Sequence, residues 1–119
     1  RHSQLNGSAY GGLIGAPDDL ARFGQALLQD RLLQPASRTE LFREALLNDG
    51  SLSGMCLSWF TGKLNGHDYR HHAGGGGGFY VEFRLYPALR RGSVLVLNRT
   101  GVNDQRLLDK VDARFISAR

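Results

Sequence analysis

The stretch NGHDYRHHAGGGGGFYVEFRLYP, Asn65 to Pro87, decides the fold of this 119-residue chain. Asn65-Gly66 is the strongest short-range hairpin signal, because both central residues of the turn need positive φ. It predicts a strand running from Met55 to Leu64 through Leu57, Trp59 and Phe60, and a returning strand from His67 to His72. Beyond the glycines, Phe79, Val81, Phe83 and Leu85 alternate with Tyr80, Glu82, Arg84 and Tyr86, the period of a strand with two distinct faces. Pro87 stops it. Arg90-Arg91-Gly92 reads as a turn, and Ser93 to Asn98 carries Val94, Leu95, Val96 and Leu97, the pattern of a buried strand.

Outward from this core the period lengthens. Pro17-Asp18-Asp19 supplies a helix start, with carboxylates where the dipole favours negative charge. Leu20, Phe23, Leu27 and Leu28 follow at helical spacing, while Gly24 weakens the helix or admits another backbone. Pro35 breaks that pattern. Ser37 with Glu40 reads as the capping box of a second helix, with Leu41, Phe42, Ala45 and Leu46 buried and Asn48-Asp49-Gly50 ending it. Asn103 or Asp104 caps a terminal helix with the stripe Leu107, Leu108, Val111 and Phe115. The expectation is one α+β domain: residues 1–50 loop and two helices, 51–100 an antiparallel sheet of three to four strands, and 101–119 a C-terminal helix.

Composition narrows the function. The formal charge of +4 comes mainly from arginines, and Arg90-Arg91 is the only adjacent basic pair. A nucleic-acid binder would gather such charges on one face with a recognisable motif, so no nucleic-acid partner is expected. No apolar run approaches the ~20 residues that span a bilayer. No signal peptide is visible, which leaves the compartment open. The single cysteine, Cys56, excludes an internal disulfide, and its apolar neighbours Met55 and Leu57 read as a buried thiol.

Three constellations could carry chemistry. Gly74 to Gly78 satisfies a glycine-rich phosphate pattern, but a strand follows where that motif needs a helix N-terminus, and no Gly-Lys-Ser/Thr is present. The run is too short for a linker. Two readings stand: a structural bulge or wide turn, and a catalytic strand whose bare backbone admits a substrate to its N–H groups. His67, His71 and His72 with Asp68 suggest a metal. On a strand, however, His71 and His72 point to opposite faces, and His67 and His71 stand about 13 Å apart at ~3.3 Å per residue. Zinc needs nitrogens at ~2.0–2.1 Å, so neither a metal nor any other cofactor is expected. Finally, no serine has a lysine three positions on and no G-x-S-x-G elbow exists, so acyl transfer has no nucleophile within these 119 residues.

Together the motifs resemble the C-terminal part of the class C β-lactamase-like and penicillin-binding-protein-like serine hydrolases, from about Gly7 to Phe115. Ser8-Ala9-Tyr10-Gly11-Gly12-Leu13 followed by Asp19-Leu20-Ala21-Arg22-Phe23 is similar to the family's stretch leading into a helix after the substrate cleft. Gly54-Met55-Cys56-Leu57-Ser58-Trp59-Phe60 resembles its G-x-G-L-G-W strand, with Cys56 and Ser58 where glycines are common. His72-Ala73-Gly74 occupies the place of the K-T-G or H-x-G motif, and Val94 to Asn98 resembles the V-V-L-x-N strand.

The resemblance implies a partial β-lactamase/penicillin-binding-protein fold and a partial acyl-transfer site. His72 would line the cleft and position or protonate substrate groups. The Gly75 N–H would be one of two oxyanion donors, and Ala73, Gly74 and Gly76 would contact the substrate, a small-molecule amide or ester. The family's S-x-x-K and Y-x-N motifs should lie upstream; Tyr10, followed by Gly-Gly, supplies neither. The chain is therefore expected to be inactive alone. Its strand Val94–Leu97 would also lack the strand that normally pairs with it, so either a homo-oligomer or a complementing N-terminal fragment is expected. The alternative is a stand-alone, non-catalytic binding or assembly module.

Overall fold

In the computed structural model, which describes residues 11–118, a helix, α1, spans Pro17–Leu28. Pro17 sits in the first turn, and the Ala16 N–H donates to Asp19 Oδ2 at 3.0 Å, so the carboxylate closes the helix end where the dipole favours it. Leu27 and Leu28 are buried, and Leu20 packs against the same cluster. The family-like segment Ser8–Tyr10 lies outside the described residues.

The second helix, α2 (Pro35–Phe42), begins three residues earlier than the capping-box reading expects. Gln34 is its N-cap, Pro35 occupies the first turn, and Glu40 pairs instead with Arg43. Proline's fixed φ suits a helix start, and its missing N–H costs nothing there. The helix also ends sooner, at Phe42. Ala45 and Leu46 belong to a small hairpin, in which the Ala45 N–H donates to the Met55 carbonyl at 2.8 Å and Leu46 bridges to Leu52.

Four antiparallel strands follow in sheet order β1-β2-β3-β4: β1 (Phe60–Leu64), β2 (His67–Gly76), β3 (Phe79–Tyr86) and β4 (Arg91–Leu97). The strand expected from Met55 is interrupted. The Cys56 N–H donates to the Trp59 carbonyl at 2.7 Å, and Ser58 adopts a left-handed φ of 67°. This turn drops both Cys56 and Trp59 into the core, which a continuous strand cannot do with residues three apart. The Cys56 thiol donates to the Phe42 carbonyl at 3.2 Å.

Helices cover both faces of the sheet. Phe83 and Leu85 face α1, and a side chain at Gly24 would strike both, with Leu85 Cδ2 only 2.8 Å from its Cβ position. Gly24 thus admits the sheet rather than merely weakening the helix. On the opposite face, Tyr69 and Tyr86 pack with Ile116. There the short helix α3 (Leu108–Asp112) buries Leu108 and Asp112. Leu108 and Asp112 of this helix, and Ile116 just beyond it, face the sheet; of the expected stripe Leu108 is buried and Phe115 packs against the Tyr69–Tyr86 cluster, while Val111 is 48% exposed.

The cause of that arrangement is the polar side of β3. Glu82 and Arg84 are buried beneath α3. The Leu107 and Leu108 N–H groups each donate to the Glu82 carboxylate at 2.9 Å, as does the Tyr80 hydroxyl at 2.8 Å. The helix start is therefore capped from the sheet, while Asp104 closes a local turn through the Arg106 N–H at 2.8 Å. Arg84 pairs with Asp109 at 2.6 Å and Asp112 at 3.2 Å, which fixes Asp112 inwards. At the sheet's other end β4 is only partly covered, with Val96 41% exposed, rather than the buried strand its sequence suggests. Among the described residues β4 pairs with β3 alone.

Candidate active site

The glycine run is neither a bulge nor a loose loop. Gly74, Gly75 and Gly76 continue β2 opposite Val81, Tyr80 and Phe79, and Gly77-Gly78 makes the two-residue turn, with Gly78 at φ 95°. The strand expected to end at His72 is thus four residues longer. A Cβ at Gly76 would lie 2.7 Å from the Phe79 ring, whereas among the described residues nothing beyond its chain neighbours lies within 4 Å of one at Gly74. The first glycine leaves room for an aromatic ring; the second borders open space.

The two hairpins orient the main chain of β2 in the same way. Each is closed by a two-residue turn, at Leu64↔His67 and at Gly76↔Phe79. The pair flanking such a turn exchanges hydrogen bonds, and alternate pairs do so along the ladder. His67, Tyr69 and His71 therefore address β1, and His72, Gly74 and Gly76 address β3. By this alternation Ala73 and Gly75 present their N–H and C=O groups on the β1 side. There β1 has already ended, because Phe60 lies opposite His71.

The side chains divide by face. His72 shares a face with its partner Phe83, under α1, and lies in the wall of a cavity of about 480 Å³ with Trp59 and Leu27. Its ring is 5.6 Å from that of Phe60, which also lies 5.7 Å from His71. His71 is on the α3 face against Tyr69, with ring centroids 5.5 Å apart. Burial, reinforced by the Arg84 and His72 charges, holds the His71 imidazole below its ordinary value. The two adjacent histidines thus differ in role: one is exposed at the cavity, the other is half-buried in the framework. Among the described residues no group of three His, Cys, Asp or Glu is placed to hold a metal ion, and no helix is long and apolar enough to cross a membrane.

Below the strand, Tyr80, Glu82, Arg84 and Tyr86 form a polar layer that the sequence reading assigned only to a second strand face. Arg84 lies 4.2 Å from the centre of the Tyr69 ring, and the Tyr86 hydroxyl donates to Asp112 at 2.6 Å. Burial disfavours the Arg84 charge, but the Asp109 carboxylate paired with it and the Tyr86 hydroxyl beside it outweigh that and raise its pKa. Burial and the Asp112 carboxylate push the Tyr86 hydroxyl up as well. The available signal was the i, i+3 pair Asp109 and Asp112 in the terminal helix, spaced to meet one cation.

A family model described as Beta-lactamase matches residues 1–116, nearly the whole chain. A comparison with curated proteins finds no match.

Proposed function

Because this chain belongs to the Beta-lactamase family, we propose that it forms the strand-side wall of a serine acyl-transfer site acting on an amide or ester. One observation carries the reading: β2 outruns β1, so among the described residues Ala73 and Gly75 have no partner strand on the β1 side, beside His72. Gly75 N–H acts as one oxyanion donor, a role in which single donors contribute about 2.7–4 kcal/mol to the transition state. Gly74 leaves the space above the strand free for substrate, Ala73 and Gly76 flank it, and His72 positions or protonates the reacting group. No serine here is followed three positions on by lysine, so the nucleophile and its base come from outside these 119 residues.

The β4 edge supports the same reading. A cavity of about 600 Å³ lies by this edge, between α1 on one side and Phe115 on the other. A strand from a complementing N-terminal segment would fill the edge and the space together. The purified 119-residue chain should leave nitrocefin and p-nitrophenyl esters unhydrolysed and should not react with fluorophosphonate probes. Co-expression with a polypeptide carrying S-x-x-K should restore turnover, and His72→Ala should then lower it. Turnover by the chain alone would overturn the missing-nucleophile assignment.

The open β4 edge also favours a second reading, an assembly module that pairs with a copy of itself. It predicts a defined oligomer and no gain of activity on complementation.

A further inference from the structure

We infer that the cavity beside His72 is a specificity pocket for a medium-length aliphatic acyl group, an inference that rests on the acyl-transfer reading of the same strand. The cavity of about 480 Å³ has the size of a small-molecule site. Leu20, Phe23 and Leu27 of α1 form one wall, and Leu32 and Leu33 of the following turn form the rim. Among the described residues lining it, only Ser58, His72 and the ring N–H of Trp59 are polar. A sugar, peptide or charged group entering there would lose its water without finding partners, which costs free energy, whereas a hydrocarbon chain gains by leaving water.

The placement of His72 connects pocket and reacting centre. Its ring lines the cavity, and its main chain lies three residues before Gly75, about 10 Å at ~3.3 Å per residue. A carbonyl held at the Gly75 N–H therefore directs a chain of several methylenes along the strand towards the cavity, while an acetyl group stops short of it. The exposed apolar surface of Leu32 and Leu33 is then a pocket mouth, not a solvated defect.

Trp59 is the sole tryptophan and lines the cavity, so its fluorescence reports occupancy. The 119-residue chain is titrated with acetate, hexanoate, octanoate and decanoate below their micelle concentrations. The expected result is no response to acetate and an affinity rising up to about fourfold for each methylene that enters, the equivalent of ~0.8 kcal/mol per buried CH₂. Leu33→Glu, at the rim, should flatten this dependence by at least tenfold for decanoate. Leu52→Glu, on the exposed small hairpin, should leave it unchanged.

Affinity independent of chain length overturns the inference, and so does equal weakening by both variants, which would mean indiscriminate adsorption. His72→Ala separates this test from the reading beneath it. If that substitution weakens all the longer carboxylates by one common factor, the acyl head sits at the proposed site. If it changes nothing while the chain-length dependence persists, the pocket stands and the acyl-transfer reading falls.

Discussion

At the scale of single residues, two buried groups set the sheet against its terminal helix. Arg84 is 1% exposed and meets Asp109, Asp112 and the face of Tyr69. Removing one member of a buried ion pair leaves the other charge uncompensated, so Arg84→Met should destabilise the fold by about 3–5 kcal/mol in urea unfolding. His71 gives a pH dependence. Its folded-state pKa lies below the unfolded value of about 6.5, so the unfolded chain takes up the proton first. The stability that neutral His71 contributes is complete above that value and is lost as pH falls through the lower folded-state value. Asp109 adds a second loss at more acidic pH. Burial pushes its carboxyl up, but the Arg106 hydrogen bond and the Arg106 and Arg84 charges prevail and hold it below its ordinary value. The melting temperature should therefore fall between pH 7.5 and 5.0, and the fall should shrink in His71→Phe; an unchanged fall would exclude His71 as its source.

Among elements, β2 separates framework glycines from those bordering the open edge. Gly62 of β1 lies under its partner Tyr69, and a Cβ there would come within 2.2 Å of that ring. Gly62→Ala should cost about 1–3 kcal/mol by overpacking, read from the denaturation midpoint. Gly74→Ala meets no atom of the described residues within 4 Å apart from its chain neighbours and should leave that midpoint within about 0.5 kcal/mol. In a complemented enzyme the same change should lower turnover, because the added methyl occupies the space assigned to substrate. The hairpins were legible in the sequence because Asn65-Gly66 and the alternation of Phe79–Tyr86 are local signals. The break at Cys56–Trp59 was not, since it follows from both side chains reaching one core across a left-handed Ser58.

At the largest scale, the sheet of the described residues ends at β4, whose outer edge pairs with none of them and is partly apolar. Such edges recruit other strands. Light scattering on the 119-residue chain should show self-association that rises with concentration, and Val96→Lys should suppress it; a stable monomer at high concentration would exclude association through this edge. The α+β class, the element order and the family were written in the sequence, because periodicity, turn chemistry and motif order are properties of neighbouring residues. The tertiary structure decided what depends on residues far apart in the chain. Glu82 caps a helix some 25 residues later, β3 buries its polar side beneath that helix, and β2 outruns β1 so that Gly75 lies beyond the end of that pairing. Burial of a charge, and vacancy beside a strand, are set by what packs against them, and no local pattern encodes that.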